Sequence, residues 1–240
     1  MFRFDGKHIV VAGGTSGIGL AAAQRFKQLG AKVTIIGRNP SQLDELSCEG
    51  FTCLACDLTN IASYPELVAN IEAFDGLLFA AGAAESARPF AMLTAQALQD
   101  LFTLNTLAPF ELIKLSQKKR KMNEGGAICY VSSVIEKCGT LASGGYGATK
   151  SAFSALARSM GMELSKKKIR INTVAYGYVK TKFLDGLSLS KESVESAPYG
   201  LPTAQEAADV AVFFLSDASK FMTRQTIVAD SGVTLHQALV

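Results

Sequence analysis

Histidine is scarce in this sequence of 240 residues, which contains only His8 and His236. A catalytic zinc ion usually takes three protein ligands, drawn largely from histidine and cysteine, so a zinc-type alcohol dehydrogenase site has too few ligands here. The five cysteines are an odd number without the spacing of a disulfide framework, which is typical of a reduced, cytoplasmic setting. Cys53 and Cys56 form a CxxC pair, but residues three apart on a strand point to opposite faces. We therefore expect no metal site and no redox role for this pair.

The sequence also lacks a strong excess of charge. It has 24 basic and 21 acidic side chains, a formal net charge of +3, and nucleic-acid-binding domains are usually far more basic. No apolar run is long enough to span a membrane, and the charged stretch Met1–Lys7 does not resemble a signal peptide. We expect a soluble cytoplasmic protein that acts on a small molecule and binds neither nucleic acid nor membranes.

Short apolar runs alternate with helical patterns along the whole chain, without a linker or a repeat. The predicted strands are His8–Ala12, Ala31–Ile36, Phe51–Cys56, Gly76–Gly82, Gly126–Val131, Ile169–Ala175 and Thr226–Ala229. The predicted helices include Leu20–Leu29, Ser41–Leu46, Thr94–Asn105, Pro109–Lys121, a long helix to about Glu163, and Thr203–Leu215. This alternation predicts an α/β fold: one doubly wound parallel sheet, a Rossmann fold with helices on both faces. We expect a single dinucleotide-binding domain over residues 1–240, with ligands at the carboxyl ends of the strands.

A glycine-rich turn, Gly13–Gly19, follows the first predicted strand and precedes a helix. Glycine lets the backbone approach a pyrophosphate, and the helix N-terminus supplies amide groups and a positive dipole. The spacing is G-x-x-x-G-x-G instead of the dinucleotide fingerprint G-x-G-x-x-G. The turn predicts phosphate binding, with a purely structural glycine turn as the alternative.

The tip of the second strand, Gly37-Arg38-Asn39, indicates which dinucleotide binds. A carboxylate at this place holds the ribose hydroxyls of NAD, whereas an arginine can pair with the 2′-phosphate of NADP. Arg38 therefore favours NADP(H) over NAD(H), unless it is a solvated surface residue. Asp57, just past the third strand, is placed to accept from an adenine amino group or to cap the helix from Ser63 or Pro65 onward.

Tyr146 and Lys150 are four residues apart, which places both side chains on one face of a predicted helix. A neighbouring ammonium favours the phenolate, so we expect Lys150 to lower the pKa of Tyr146 and make proton exchange with a substrate oxygen feasible. Asn105 is a polar residue in an apolar stretch, and we expect it to be buried with hydrogen-bond partners.

In this combination and order, the motifs resemble the short-chain dehydrogenase/reductase family over essentially the full chain. Gly13-x-x-x-Gly17-Ile18-Gly19 resembles the cofactor motif of that family, and Tyr146-x-x-x-Lys150 resembles its catalytic motif. Ser133 lies thirteen residues before Tyr146, at the family's serine spacing. Asn105 matches the family's catalytic asparagine, and Asp57-Leu58 matches its adenine-contact position.

The resemblance implies a set of site residues and a role for each catalytic one. Tyr146 would protonate a carbonyl oxygen and Ser133 would stabilise the charge on it. Lys150 would bind the nicotinamide ribose, and Asn105 would hold a water that relays protons to Lys150. Together with Arg38, the implied cofactor contacts are Gly13, Thr15, Ser16, Gly17, Ile18, Gly19, Asp57, Leu58, Ala81, Gly82, Tyr146, Lys150, Gly177, Val179 and Thr181.

Two stretches depart from the family pattern. Asn-Asn-Ala-Gly at the fourth strand is here Phe79-Ala80-Ala81-Gly82, which loses two amides that usually brace the central sheet. Pro-Gly after the sixth strand is here Tyr176-Gly177, and we expect the tyrosine to place a bulky ring near the nicotinamide. Both changes predict an unusual substrate pocket, walled by 134–145, the loop after Gly82, 176–178 and 182–201.

The resulting expectation is an NADP(H)-dependent oxidoreductase that interconverts a ketone or aldehyde and an alcohol. A 3-oxoacyl-acyl-carrier-protein reductase is one form of it, because the lysine-rich runs Lys118–Lys121 and Lys166–Lys168 could dock an acidic carrier. Solvated helix ends explain those runs equally well. A protein that senses NADP(H) without turnover is the alternative of a different class.

The resemblance further implies a homotetramer or homodimer, built partly on the helix that follows Lys150. The apolar residues of that helix are interface or core, and the sequence leaves this open: Phe153, Leu156, Met160 and Met162.

Overall fold

All seven predicted strands lie side by side in one parallel sheet of the computed structural model. The structure describes residues 2–84, 89–185 and 197–234. The strands are β1 (His8–Ala12), β2 (Lys32–Gly37), β3 (Thr52–Ala55), β4 (Phe74–Phe79), β5 (Met122–Ser133), β6 (Arg170–Tyr176) and β7 (Thr226–Ala229). Their order is β3-β2-β1-β4-β5-β6-β7, so the chain reverses its direction of progress between β1 and β4. The predicted doubly wound sheet is confirmed, and its switch point is where such sheets bind ligands.

Helices connect the strands on both faces of the sheet. They are α1 (Gly17–Gln28), α2 (Pro40–Cys48), α3 (Tyr64–Asn70), α4 (Ala95–Phe102), α5 (Ala108–Lys118), α6 (Ile135–Cys138), α7 (Gly144–Leu164), α8 (Lys182–Asp185) and α9 (Ala204–Leu215). Short 3₁₀ turns lie at Ile61–Ser63, Phe90–Met92, Ser165–Lys167 and Asp217–Ser219. None of the helices within the described ranges has the length and apolar character needed to cross a membrane.

Two apolar layers hold the helices on the sheet, because alternate residues of each strand point to opposite faces. In β1, Ile9 and Val11 face the layer formed with α1, α2 and α9, whereas Val10 and Ala12 face the layer formed with α3, α5 and α7. Burial of strands on both faces explains why the central strands are continuous apolar runs.

The same alternation separates the two cysteines of the CxxC pair. Cys53 packs against the α1 layer, and the buried Cys56 belongs to the α7 layer. The prediction that they point to opposite faces is confirmed, so the two thiols cannot share a ligand.

One helix ends earlier than predicted. The helix expected over Thr94–Asn105 ends at Phe102, and a π-helical segment, Thr103–Leu107, joins α4 to α5. The extra residue in a π turn cannot be deduced from apolar periodicity, because that periodicity assumes 3.6 residues per turn. The segment carries Asn105 and Thr106 into the interior, where both are buried.

Candidate active site

A cavity of about 400 Å³ opens at the carboxyl ends of the strands, within the usual size of small-molecule sites. It contacts residues from both sides of the switch point, including the strand ends of β1, β4 and β5 and the first turns of α1 and α7. All the predicted cofactor contacts line it: Gly13, Thr15, Ser16, Gly17, Ile18, Gly19, Arg38, Asp57, Leu58, Ala81, Gly82, Tyr146, Lys150, Gly177, Val179 and Thr181. The fold therefore brings residues from distant parts of the chain to one place.

The glycine turn is packed so closely that side chains are excluded. A Cβ on Gly13 would lie 2.5 Å from the Ala81 nitrogen, and φ there is +83°, a region that favours glycine. A Cβ on Gly19 would lie 2.1 Å from the Gly13 carbonyl oxygen. Ser16 precedes α1 without a side-chain capping bond, so its hydroxyl does not occupy the first amides of the helix. An open helix N-terminus beside a bare backbone fits a pyrophosphate.

Arg38 and Asp57 lie at the adjoining part of the cavity wall. Arg38 is exposed and follows β2 directly. The preceding residue, Gly37, leaves room for the Thr15 methyl group, which would lie 2.4 Å from a Cβ on Gly37. The Asp57 carboxylate accepts from the Thr59 amide at 2.9 Å and from the Thr59 hydroxyl at 2.8 Å. Of the two alternatives for Asp57, the helix cap is not formed. The carboxylate closes a turn and still faces the cavity.

Ser133 and Tyr146 meet on the cavity wall. Ser133 is the last residue of β5, Tyr146 lies in the first turn of α7, and their side chains are hydrogen-bonded. Burial raises the pKa of Tyr146 to about 12, and the bond to Ser133 acts in the opposite direction. The net direction is opposite to the lowering expected from Lys150. The reason is that desolvation of a phenolate in this setting outweighs the favourable interactions.

Lys150 lies deep in the fold with 2% of its surface exposed. Its Nζ donates to the Val131 carbonyl oxygen at 2.9 Å and lies 4.6 Å from the centre of the Tyr130 ring and 5.6 Å from that of Tyr146. Burial lowers the pKa of Lys150 to about 7, although the Glu136 carboxylate raises it. A lysine that is only partly protonated near neutral pH gives Tyr146 less electrostatic help than a full ammonium would.

Asn105 is fully buried, as expected, but it is not part of the cavity wall. Its Nδ2 donates to the Ala83 carbonyl oxygen at 2.8 Å and to the Thr149 hydroxyl at 3.0 Å, while its Oδ1 accepts from the Ala83 amide at 3.0 Å. The side chain thus clamps the chain after β4 to the catalytic helix. Its role in holding a water remains a prediction.

A hydrogen-bonded network that the sequence did not indicate supports the predicted catalytic residues Asn105 and Tyr146. The Tyr130 hydroxyl donates to the Asn105 carbonyl oxygen at 2.7 Å. The Thr149 hydroxyl donates to the Tyr146 carbonyl oxygen at 2.8 Å, and the Thr106 hydroxyl donates to the Thr149 carbonyl oxygen at 2.9 Å. The sequence did contain one signal for this network: hydroxyl residues within an apolar strand or a helix interior. Such hydroxyl groups are buried and therefore need hydrogen-bond partners.

The two residues that depart from the family pattern, Phe79 and Tyr176, pack in the apolar layers. Phe79 is fully buried, and its ring stacks with that of Tyr130 at a centroid distance of 6.2 Å. Tyr176 contacts the cavity, but it is 3% exposed and its hydroxyl donates to the Ala207 carbonyl oxygen of α9 at 2.6 Å. The alternation of β6 turns Tyr176 to the α9 face together with Val174, so its hydroxyl lies away from the cavity. That its ring lies near the nicotinamide stays a prediction.

The predicted substrate walls are described in part. Val134, Ile135, Cys138 and Thr140 line the cavity from the α6 region. On the opposite chain segments Tyr178, Phe183 and Leu184 line it, and the Phe183 ring lies 6.3 Å from the Tyr146 ring. The remainder of the expected 182–201 wall, residues 186–196, and residues 85–88 after Gly82 lie outside the described residues.

A comparison with protein families gives a match that includes the residues described above. A family profile described as enoyl-(acyl carrier protein) reductase matches residues 12–234, which includes the glycine turn, Ser133, Tyr146 and Lys150. The chain belongs to the short-chain dehydrogenase/reductase family. It is therefore an oxidoreductase of a family that uses a nucleotide cofactor.

Curated members of the short-chain dehydrogenase/reductase family match almost the whole chain. A 3-oxoacyl-[acyl-carrier-protein] reductase of Rickettsia bellii is 27% identical over 98% of this chain and 100% of its own. The 2,3-dihydro-2,3-dihydroxybenzoate dehydrogenase of Escherichia coli is 30% identical over 97% of this chain and 98% of its own. These names span different substrates, so similarity does not choose among them.

Solved structures of short-chain dehydrogenase/reductase proteins share the fold closely. One from Brucella melitensis has a TM-score of 0.90 at 26% identity and covers 97% of this chain and 98% of its own. BdcA in complex with NADPH has a TM-score of 0.86 at 25% identity and covers 95% of each chain.

Proposed function

We propose that this protein is an NADP(H)-dependent reductase or dehydrogenase that interconverts a ketone or aldehyde and an alcohol. The observation that carries the proposal is the convergence of Ser133, Tyr146 and Lys150 on the cavity that the glycine turn also lines. A binding module would need the turn but not a hydrogen-bonded serine–tyrosine pair beside a buried lysine.

The residues that line the cavity suit a dinucleotide. The bare backbone at Gly13 and Gly19 and the uncapped start of α1 suit the pyrophosphate. Lys150 and Thr181 would contact the nicotinamide half, and Asp57 with Leu58 would contact the adenine. When bound, the cofactor supplies or accepts the hydride at the substrate carbon.

The protein residues provide the proton and the stabilising contacts. Charge develops on the carbonyl oxygen as its carbon is reduced, and the Ser133 hydroxyl donates a hydrogen bond to that oxygen. The Tyr146 hydroxyl transfers its proton to the same oxygen. Burial favours the neutral phenol, because it raises the pKa of Tyr146 to about 12, and this is the form that donates a proton in the reductive direction. Tyr146 would then regain a proton by way of Lys150, to which a water held by Asn105 would relay protons.

Preference for NADP(H) is supported by Arg38. Its guanidinium follows β2 at the cavity edge, is exposed, and can pair with a 2′-phosphate bidentately. The NADPH complex of BdcA and the carrier-protein reductases among the relatives point in the same direction.

A 3-oxoacyl-acyl-carrier-protein reductase is a second candidate, favoured by the names of several relatives. The lysine-rich runs do not add to it. Lys118–Lys121 leads into the start of β5, and Lys166–Lys168 leads into the start of β6. Both therefore lie at the amino edge of the parallel sheet, away from the cavity. Lys121 and Lys167 are used internally, donating to the Ile71 carbonyl oxygen at 2.6 Å and to the Gln117 side chain at 3.2 Å.

The test is a panel of ketones, aldehydes and 3-oxoacyl thioesters, assayed with NADPH and NADH by the loss of reduced cofactor. We expect turnover of at least one carbonyl class, faster with NADPH. Tight NADPH binding without turnover across the panel would favour a sensor, and equal use of both cofactors would contradict the preference. A thioester preference would select the carrier-protein candidate.

The assembly and domain organisation are also part of the proposal. We propose one domain over residues 1–240 and a homodimer or homotetramer in the cytoplasm. On α7, Phe153 is fully buried in the core and Met160 packs against it, whereas Met162 is 61% exposed and available for an interface. Light scattering of Met162→Glu against the unchanged protein tests this: a smaller particle supports an α7 interface, and an unchanged particle contradicts it.

A further inference from the structure

Glu136 is a half-buried acid in the turn that follows Ser133, and nothing in the proposed chemistry uses it. Its carboxylate oxygen Oε2 accepts from the Ser132 hydroxyl and, at 2.7 Å, from the Ser154 hydroxyl. Its carbonyl oxygen accepts from the Ser151 hydroxyl at 2.7 Å. One residue therefore joins the end of β5 to α7.

These contacts surround the catalytic residues along the chain. Ser132 immediately precedes Ser133, and Ser151 and Ser154 lie one and four residues after Lys150. Ser132 and Ser154 are almost completely buried, with 3% and 2% of their surfaces exposed. Two serine hydroxyl groups on the Glu136 carboxylate and a third on its carbonyl oxygen hold Ser133 and Lys150 in a constant relative position.

The negative charge of Glu136 has a second consequence, because Lys150 is buried among groups that are neutral at pH 7. Its Nζ contacts the Val131 carbonyl oxygen and the Tyr130 ring, and neither carries a compensating charge. A buried cation without a counter-charge loses its proton. The Glu136 carboxylate is held near Lys150 by two serines: Ser132 follows Val131, whose carbonyl oxygen Lys150 contacts, and Ser154 lies one helical turn after Lys150. From this position the carboxylate raises the pKa of Lys150.

We propose that Glu136 is a positioning residue for catalysis, which ties the Ser133 strand end to α7 and places a counter-charge near the buried Lys150. The proposal rests on the proposed function of Ser133, Tyr146 and Lys150. Lys150 needs its charge to polarise Tyr146 and to hand on a proton, so a fixed carboxylate nearby extends the pH range of the active form.

Other titratable groups lie around Glu136 and Lys150, but they do not supply the counter-charge. Tyr130 on β5 and Tyr146 on α7 are neutral near pH 7, because burial raises the pKa of each. Cys138 on α6 is also neutral, since burial raises its pKa. Asp230 after β7 is occupied by the Gly232 and Thr234 amides, each at 2.9 Å. Lys137, the next residue on α6, is exposed.

The test is a double-mutant cycle of Glu136→Gln and Lys150→Met, followed by urea unfolding at pH 6 and pH 9. Glutamine keeps an acceptor for the serine hydroxyls and removes only the charge. At pH 6 Lys150 is charged, and Glu136→Gln should lower the folding constant about threefold more with Lys150 present than with methionine there. At pH 9 Lys150 is neutral and this difference should vanish. A difference that is absent at pH 6, or equal at both pH values, would overturn the proposal.

The catalytic arm is the pH profile of kcat/KM for a carbonyl found in the panel. Glu136→Gln should move the alkaline limb to lower pH by about half a unit, whereas Glu163→Gln, at the exposed far end of α7, should leave it unchanged. An unshifted limb in Glu136→Gln contradicts the proposal. The unfolding cycle needs no turnover, so coupling without turnover would disprove the proposed function and leave the Glu136–Lys150 pairing intact.

Glu136→Asp covers the case in which the glutamine variant does not fold. It keeps the charge but withdraws it by one methylene, so its coupling to Lys150 at pH 6 should be weaker than that of Glu136. Coupling as strong as in the unchanged protein would count against the proposal.

Discussion

The cavity has two halves that are built in different ways, and we name them by their proposed roles as the cofactor half and the catalytic half. The cofactor half consists of bare backbone at Gly13 and Gly19 and of exposed side chains such as Arg38 and Asp57. The catalytic half consists of a buried network in which Asn105 and Lys150 have almost no exposed surface. The first half offers exposed groups to a ligand, whereas the second half depends on buried, hydrogen-bonded side chains.

This difference predicts different costs of substitution. An exposed side chain in the cofactor half contributes to binding and little to folding, because it has few contacts to lose. A polar group in the catalytic half has partners that would be left buried and unpaired, so its loss affects folding as well as chemistry. The comparison can be tested residue by residue.

Tyr146→Phe should have the largest effect on activity. Without the phenol proton donor, kcat for carbonyl reduction should fall by about 10²- to 10⁴-fold, with NADPH binding close to that of the unchanged protein. Steady-state kinetics and a cofactor titration check this, with Tyr199→Phe as control, since Tyr199 is 83% exposed. A loss below tenfold would show that Tyr146 is not the main acid.

Lys150→Met should change how stability depends on pH. The pKa of Lys150 is about 7 in the fold against an ordinary value of 10.5. Between these pH values the unfolded chain binds one more proton than the folded chain, so the free energy of unfolding rises with pH across this window. Across this window Lys150 should raise the free energy of unfolding by roughly 3 to 5 kcal/mol. Lys150→Met should show no such rise.

Urea unfolding at intervals from pH 7 to 10.5 measures that slope. Lys166→Met, an exposed lysine after α7, is the matched control and should run parallel to the unchanged protein. If the Lys150→Met curve were also parallel, Lys150 would not be a desolvated base and the contrast between the two halves would weaken.

Arg38→Ala should separate binding from stability in the cofactor half. Loss of charge-assisted bonds to the 2′-phosphate should weaken NADPH binding by about 10- to 100-fold, with little change in NADH binding or in the urea midpoint. Equal weakening for both cofactors would contradict the NADP preference. A drop in stability would contradict the comparison itself.

Thr149→Val should have the smallest effect, and it should appear in stability. The isosteric change removes the acceptor of the Asn105 amide and the donor to the Tyr146 carbonyl oxygen. The free energy of unfolding should fall by about 1 to 3 kcal/mol. Thr52→Val on the exposed edge strand β3 is the control and should be close to neutral. Matching values for the two variants would mean that the network does not stabilise the fold.

The sequence predicted the cofactor half better than the catalytic half, for a physical reason. The Gly13–Gly19 turn and the strand and helix on either side of it follow from local patterns, because steric exclusion and apolar periodicity depend on neighbouring residues. The seven-stranded sheet is confirmed for the same reason.

The catalytic half depends on contacts between distant segments, and these were predicted less well. The direction of the Tyr146 pKa was wrong because the spacing to Lys150 shows proximity but not desolvation. The contact of the Tyr176 hydroxyl with α9 was not predicted, because the register of β6 was needed to orient the side chain. Glu136 was overlooked because its serine partners lie on two other elements.

The π-helical segment Thr103–Leu107 gives the chain a fixed length at this point. Each residue of an α-helix advances the chain by about 100° around the axis. Removal of a single residue here would restore a regular helix and rotate α5 by about that angle relative to α4, turning its apolar face away from the sheet. We therefore expect insertions and deletions in this segment to be tolerated less well than substitutions of its exposed side chains.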